Sequence, residues 1–350
     1  MEEVTEPNLE VRVGALLSLE RIAEDSARDR DRILRILCAY LRGNSRHREV
    51  PDSPRPRKHP AHTAQQKVED WHHWRYQVTG HYASHIQRPR VDIETAFFVL
   101  RDSFSSTDVF MDADLMGIYL RATKISGANL AGTHLDSSDF SGASLHQFNL
   151  SGAKLFRANF QGANLSDVSF KDAAMQFVDL SASEMTFVDL DQTKLTFGKL
   201  NASIISGCSM NSADLLHATL AAAKLFRCDL STAHLSKAIL EGTRFQQCQF
   251  DGALWDAPKF NSETGFPDCT MKGAAVLNCD FRDLPQLAPF LSDLFGDASS
   301  VPPDGSAPED PGWPAHWSRR TLSPEAFDRA WRDWTRASHP GVRRLSLKSP

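Results

Sequence analysis

The sequence is poor in cysteine and has little excess charge. It holds six cysteines in 350 residues, none in a CxxC pair, which argues against both a disulfide framework and a zinc site. Its formal net charge is −5 at pH 7, too small to set a strong electrostatic field. These absences exclude a small disulfide-stapled scaffold and leave the class of partner open.

Long apolar runs are also missing. The N-terminal stretch is acidic, and Arg12 interrupts its apolar residues, unlike the basic start and continuous apolar core of a secretory signal. No run approaches the roughly 18 apolar residues that a membrane-spanning helix needs. We therefore expect no transmembrane segment and a cytoplasmic location, with peripheral membrane association left open.

Sequence signatures of common enzymes are absent as well. No Walker loop, dinucleotide fingerprint, HExxH or GxSxG motif occurs. Aspartates that precede a central leucine of the repeat described below, such as Asp214 and Asp229, are expected to satisfy turns. The chain is therefore predicted not to be an enzyme and to need no cofactor and no metal.

What the sequence does have is an apolar residue at every fifth position from Leu115 to Phe260. With 41% apolar residues, chance would give this unbroken run with a probability on the order of 10⁻¹². Two residues before each central position lies a small residue, such as Ala128, and the residue after it, as at Ser166 and Ser236, should face solvent. A period of five fits neither a helix nor a strand, whereas a solenoid whose coils stack about 4.8 Å apart keeps such a stripe on its axis.

The repeat resembles a known family. Stretches such as SGANLAGTHL, SGAKLFRANFQGANL and NSADLLHATL are similar to the pentapeptide repeat. The resemblance implies a mainly β fold, a right-handed quadrilateral β-helix with four pentapeptides in each coil. The uninterrupted repeats would form a rod about 36 Å long. We place this domain at residues 108–284.

Four cysteines support a coil of four pentapeptides. Cys208, Cys228 and Cys248 follow one another at twenty-residue intervals, and Cys269 follows one residue later than that interval, where the apolar positions shift by one as well. Stacked inward, these thiols would have poor geometry for disulfides and no tetrahedral arrangement for a metal. We interpret them as a structural core column.

The N-terminal flank looks helical, as the exposed end of a solenoid requires. Residues 1–107 are expected to form a helical region, which resembles the region before the repeats in bacterial members of the family. It includes a helical pair at 9–42 and a helix that begins at an Asp92 N-cap and ends at Phe104. Residues 43–90 suggest a basic excursion that is either a solvated loop or a contact for an acidic surface.

Within this excursion, an aromatic stretch has helical spacing and carries Trp71, Trp74, His81 and His85. The two histidines are four residues apart, a spacing compatible with metal binding, but no third ligand accompanies them. A helix that packs on the rest of the protein is therefore the preferred interpretation.

The C-terminal flank is expected to contain two helices. Residues 285–296 are predicted to form a capping helix that stops at Gly296. Residues 297–350 are predicted to form a mobile Pro-rich linker and an amphipathic helix that carries Trp331 and Trp334. That helix would either dock on the rod or bind a partner.

The pattern favours a structural or interaction protein whose rigid faces bind an unidentified protein. Phe177 and Phe197 should stack one coil apart, with Phe187 on the opposite face. Aromatics at such corners either form apolar protein-binding patches or are covered by a flanking helix, such as the one that carries Trp331 and Trp334. The family also implies an alternative, a DNA-mimicking rod that binds DNA gyrase. With 19 acidic and 14 basic residues from 110 to 284, this rod is a weak mimic. No direct nucleic-acid binding is expected.

Overall fold

The computed structural model describes residues 8–45, 52–56, 63–86, 91–103 and 113–345. Four helices precede the rod: α1 (Leu9–Asp25), α2 (Arg30–Asn44), α3 (Ala64–Ala83) and α4 (Val91–Ser103). Helices α1, α2 and α4 pack on one another. Their buried side chains, such as Leu37 and Leu100, belong to the same apolar cluster as Leu115 of the first coil. These three helices therefore close the N-terminal end of the rod.

Asp92 does not act as the N-cap of α4, because the helix begins one residue earlier. Its carboxylate is fully buried and accepts hydrogen bonds from Nε of Arg12 in α1, at 2.9 Å, and from the hydroxyl of Tyr40 in α2. A buried charge needs such partners, and these hold the three helices together. Phe104, the predicted end of this helix, lies outside the described residues.

The rod consists of stacked coils with four short sides. One side forms a sheet of seven parallel strands: β1 (Lys124–Ser126), β2 (Ser144–His146), β3 (Asn164–Ser166), β4 (Glu184–Thr186), β5 (Ile204–Ser206), β6 (Lys224–Phe226) and β7 (Arg244–Gln246). Each strand pairs with the strand one coil further on, so that Ile125 lies opposite Leu145 and Leu145 opposite Leu165. Isolated parallel bridges with the same spacing join the other sides, as between Asn129 and Asn149. The predicted β-helix is confirmed.

The interior of the rod is filled by the residues of the five-residue period. Central side chains such as Leu195 and Leu230 are completely buried. Phe140 and Phe160 stack along the axis with ring centroids 4.8 Å apart. Between the central positions the chain turns through a residue with positive φ, for example Gly162 at +65°. Each corner from Gly117 to Ala257 thus repeats a left-handed turn, which glycine adopts without steric cost.

The C-terminal end differs from the predicted capping helix. Residues Pro285–Asp293 form a 3₁₀-helix, and β10 (Leu294–Phe295) follows it and pairs with β9 (Ala274–Leu277). Strand β9 also pairs with β8 (Leu254–Asp256). Pro289 has no N–H group and interrupts regular α-helical bonding, which explains the tighter helix. Coil stacking continues past residue 284 to a bridge between Asp280 and Val301.

The segment after β10 is also more ordered than its proline content suggests. Trp313 and Trp317 are buried, and the indole Nε1 of Trp317 donates to the carbonyl oxygen of Leu294 at 2.8 Å. The prediction of a mobile linker is wrong at this point, because two large aromatic side chains anchor the segment to the end of the rod.

Helix α5 (Pro324–Ser338) docks on the rod. Phe327 and Trp331 are fully buried in a cluster with Leu254 and Phe295. Nε1 of Trp331 donates to the carbonyl oxygen of Gly273 at 2.8 Å. Of the two interpretations of this helix, the structure shows docking.

Candidate functional site

Three stacked rings form a column on one corner of the rod, namely Phe177, Phe197 and His217, and Phe156 adjoins the column beside the corner residue Arg157. We call this column the aromatic ladder. The ring centroids of Phe177 and Phe197 lie 5.0 Å apart in nearly parallel planes, and His217 continues the stack at 4.7 Å. Phe156 meets Phe177 edge-on at 5.5 Å. Phe177 and Phe197 remain 44% and 43% exposed, so the predicted stack exists and stays open to solvent.

The backbone at these positions does not favour an aromatic residue. Phe177 has φ +61° and Phe197 has φ +59°, in the left-handed region that suits glycine. A residue with a Cβ loses about 1–2 kcal/mol there. Stacking of an aromatic pair contributes about 0.5–1.5 kcal/mol beyond area burial. These terms nearly cancel, so stability of the rod alone gives little reason for phenylalanine at these corners.

Charged side chains lie beside the aromatic ladder. The guanidinium carbon of Arg157 lies 5.1 Å from the Phe156 ring centroid and 6.0 Å from that of Phe177. The exposed side chain of Lys194 follows on the same face. Two acids lie nearby: Asp136 accepts a hydrogen bond at 2.8 Å from the Phe156 amide, and Asp214, opposite Lys194 in the next coil, accepts one at 2.8 Å from the Thr196 hydroxyl. The patch therefore combines apolar rings with the positive charge of Arg157 at its Phe156 end.

Phe187 stands apart from the aromatic ladder. It is 66% exposed and follows β4 on another corner. Its ring extends over Gly207 in the next coil, where a Cβ would come within 2.8 Å of the ring. The structure therefore places Phe187 as a single exposed ring and does not bring it together with Phe177 and Phe197.

Helix α3 occupies a second corner, which sequence reasoning missed. At this corner the turn residue is always small: Ala122, Gly142, Gly162, Ala182, Ala202, Ala222 and Gly242. We call this set the small-residue column. A Cβ on Gly162 would lie 2.8 Å from the Tyr82 ring and 2.9 Å from Val78. Trp74, Val78 and Tyr82 are buried against the column. Alanine or glycine at twenty-residue intervals was the signal that could have predicted a helix here.

An ion pair secures α3 in this position. The guanidinium of Arg75 donates to the carbonyl oxygen of Ala182 at 3.2 Å and lies 3.6 Å from a carboxylate oxygen of Glu184. Burial lowers the pKa of Arg75 below its usual value, while Glu184 opposes that shift. The part of the basic excursion that α3 forms is therefore a packed helix.

The cysteine column is buried as a stack within the rod. Cys208, Cys228, Cys248 and Cys269 are free thiols with less than a tenth of their surface exposed. The sulfur of Cys228 lies 3.4 Å from the carbonyl oxygen of Ile205. Contacts with Cys208 and Cys248, together with burial, raise the pKa of Cys228 above its ordinary value. The arrangement is that of a protonated thiol packed in a core.

The histidine pair of α3 lies at the end of that helix. The rings of His81 and His85 are 4.7 Å apart, and Nδ1 of His85 lies 2.7 Å from the carbonyl oxygen of His81. In the described part of the chain, no group of three or more metal-ligating side chains comes together. The contacts of this pair are those of a helix C-terminus.

Asp214 and Ser236 have surroundings that the sequence did not predict. Asp214 does accept a hydrogen bond from the Leu216 amide at 3.1 Å, as expected for a turn, but it also lies 3.2 Å from Nδ1 of His234. Ser236 was expected to face solvent and is only 4% exposed. It lies beside Phe327 in the lining of a cavity, because α5 covers this part of the rod.

Comparisons with known proteins agree with the repeat pattern. The family model for pentapeptide repeats matches in eight copies, over residues 113–152, 149–186, 158–196 and 228–253. A search of the curated proteins finds none that matches this chain. Among the described helices, none combines the length and apolar character needed to cross a membrane.

Several solved structures are similar to this chain. A trypsin-treated variant of QnrB1, a plasmid-mediated fluoroquinolone resistance protein, is 14% identical, with a TM-score of 0.36 over 60% of this chain and 97% of the other. HetL, a pentapeptide repeat protein involved in heterocyst differentiation regulation from the cyanobacterium Nostoc, is 23% identical, with a TM-score of 0.17 over 47% and 83%.

Proposed function

We propose that this chain, whose residues 113–196 and 228–253 match the pentapeptide-repeat family model, acts as an interaction protein whose rod presents the aromatic ladder to a protein partner. The observation that carries this proposal is the exposed stack of Phe177 and Phe197. Contiguous exposed apolar surface on a folded protein marks contact sites more often than isolated apolar residues do.

The rigidity of the rod supports this role. Each ring of the aromatic ladder projects from a turn whose backbone is bonded to the coils on either side, as where the Phe177 amide donates to the carbonyl oxygen of Thr196. Aromatic anchors held in place lose little conformational entropy when a partner binds. Partner side chains would therefore meet a preformed surface.

The charge around the ladder indicates the chemistry of the partner. Arg157 lies over two rings, whereas Lys194 on the same face lies opposite Asp214 in the next coil. A segment that combines apolar side chains with an Asp or Glu placed to meet Arg157 would pair with both components of this patch. The alternative, mimicry of DNA toward DNA gyrase, needs a strongly acidic surface. Arg157 beside the ladder weighs against it.

Photo-crosslinking can test the proposal. A photoreactive phenylalanine analogue at position 177 is irradiated in the native host, and the crosslinked protein is identified, purified and titrated against the unmodified chain. The comparison variant carries Phe177→Ser and Phe197→Ser together, and the matched control carries Gln147→Ser and Gln247→Ser, which change turn residues of another corner.

We expect the double phenylalanine variant to bind the identified protein at least about 30-fold more weakly, since a single aromatic hot-spot residue contributes about 2 kcal/mol or more. The glutamine control should bind normally, and all three proteins should have similar melting temperatures. Equal affinity of the phenylalanine variant and the unmodified chain would refute the binding role of the ladder.

A further inference from the structure

We propose that Ser236, His234 and Asp214 form a hydrolytic site that cleaves small carboxylic esters. Oγ of Ser236 lies 2.7 Å from Nε2 of His234, and Nδ1 of the same ring lies 3.2 Å from Oδ1 of Asp214. This is the connectivity of a nucleophile, a general base and an orienting carboxylate. The proposal runs against the sequence-based expectation that the chain is not an enzyme, and it does not rest on the proposed binding function.

The solenoid brings the three residues together. His234 and Ser236 are two residues apart on one side of a coil, and Asp214 occupies the position of His234 one coil earlier, as the parallel bridge between Asp214 and His234 shows. No motif of consecutive residues could reveal this site, because His234 lies two residues from Ser236 but twenty residues from Asp214. The absence of GxSxG from the sequence therefore does not bear on it.

Asp214 is fixed near the ring of His234 by hydrogen bonds from two other groups. Its Oδ1 also accepts from the Leu216 amide at 3.1 Å, and its Oδ2 accepts from the Thr196 hydroxyl at 2.8 Å. Burial raises the pKa of Asp214, but the hydrogen bonds from His234, Thr196 and Leu216 outweigh it and hold the pKa below the ordinary value. An ionised Asp214 favours the tautomer of His234 with its proton on Nδ1, which leaves Nε2 free to accept the Ser236 proton.

The backbone offers a donor for the oxyanion. Leu216 is the residue equivalent to Ser236 one coil earlier, and its amide donates to Asp214. In the next coil, the ring of His234 instead lies against Oγ of Ser236 and against Asp214. Within the described segments, the Ser236 amide has no hydrogen-bond acceptor. The N–H of the nucleophile itself can therefore donate to the oxygen that becomes negative during attack.

A cavity of about 260 Å³ adjoins the site. His234 and Ser236 line it, and α5 and the last coils supply apolar walls at Leu254, Leu277 and Phe327. Asp256 also lies in the lining, so an anionic substrate is disfavoured. The site therefore fits an ester with a short acyl chain and a neutral or cationic alcohol part.

The reaction balances with water as the only co-reactant. Oγ of Ser236 attacks the ester carbonyl carbon while its proton moves to Nε2 of His234. The bond between the carbonyl carbon and the alcohol oxygen breaks, and the alcohol leaves with that proton. Water then attacks the acyl group on Ser236 and gives its proton to His234. Cleavage of the acyl–Oγ bond releases the carboxylic acid and restores the serine hydroxyl.

The test uses the full chain and two readouts. First, the native protein is treated with a fluorophosphonate probe, which reacts with activated serines, and the labelled residue is located by peptide mass spectrometry. Second, hydrolysis of p-nitrophenyl butyrate is measured for the native chain and for Ser236→Ala, His234→Ala and Asp214→Asn. The matched control is Ser206→Ala, since Ser206 also follows a central apolar residue, Ile205, and lies opposite Thr186 and Phe226 in the neighbouring coils, neither of which is a histidine.

We expect the probe to label Ser236, and the Ser236→Ala and His234→Ala variants to lose about 10²-fold or more of the hydrolysis rate, the usual contribution of a general base. The Ser206→Ala variant should keep the native rate. Labelling of the native chain does not depend on any variant folding. Absence of label on Ser236, or a Ser236→Ala rate equal to that of the native chain, would contradict the assignment.

Discussion

Adding one methyl group at Gly162 should weaken the packing of α3 on the rod, whereas adding it at Gly152 should not. Gly152 and Gly162 have almost the same backbone, with φ +66° and +65°, but they lie at different corners. A Cβ at Gly152 meets nothing within 4 Å, whereas a Cβ at Gly162 comes within 2.8 Å of the Tyr82 ring and 2.9 Å of Val78 in α3. Gly152→Ala and Gly162→Ala therefore share a backbone cost and differ only in the contact with α3.

The expected magnitudes follow from these contacts. Both substitutions should destabilise the rod by about 1–2 kcal/mol, because alanine resists the left-handed conformation. Gly162→Ala should add about 1–3 kcal/mol of overpacking, or else displace α3. Displacement would expose Val78 and Tyr82, each of which gains about 2 kcal/mol from burial. Exposing both side chains thus costs about 4 kcal/mol, and the clash lowers this free energy of opening α3 by about 1–3 kcal/mol.

Hydrogen exchange read by mass spectrometry is the appropriate assay. In Gly162→Ala, the amides of Ala64–Ala83 should exchange faster than in the native chain, while strands β1 to β7 keep their protection. In Gly152→Ala, α3 should be unaffected. Equal exchange of α3 in the two variants would refute the docking of this helix on the small-residue column.

Further outcomes follow from the core and the C-terminal end. Leu195→Asp should unfold the rod, because it places an unpaired charge on an axis with no exposure, whereas Ser166→Asp should shift the melting temperature little; equal losses would contradict the register. Cys228→Ala should cost about 1 kcal/mol in denaturant titration, and the native thiol should resist alkylation until the rod unfolds. Trp331→Ala should cost about 3–5 kcal/mol by the same titration, since the side chain is fully buried; a neutral effect would show that α5 does not dock.

The rod could be predicted from the sequence because an apolar residue recurs at every fifth position. Apolar side chains at every fifth position have a single sterically satisfactory destination, the axis of a solenoid. The stack of Phe177 and Phe197 follows from the same period, and the structure shows it. What lies outside the period was harder to predict: Trp317 anchors a proline-rich segment, and Pro289 tightens the capping helix.

The two groupings that sequence reasoning missed are both properties of columns and not of consecutive residues. The small-residue column becomes visible only when Gly142 and Ala182 are compared at the coil period and not within their own repeats. The contact of Asp214 with His234 likewise joins adjacent coils, and Ser236 is buried by a helix whose docking position no local pattern specifies. Prediction of these features would require aligning the sequence in twenty-residue rows.

The aromatic ladder, the α3 corner and the proposed hydrolytic site all depend on the stacking of residues that are twenty positions apart. It can be measured by pyrene fluorescence, because all six native cysteines are buried and would not be labelled in the folded chain. Pyrene attached to cysteines introduced at Phe177 and Phe197 should give strong excimer emission, since these positions are neighbours in one column. Pyrene at Phe177 and Phe187 should give monomer emission only, and excimer emission of equal strength from both pairs would contradict the twenty-residue coil.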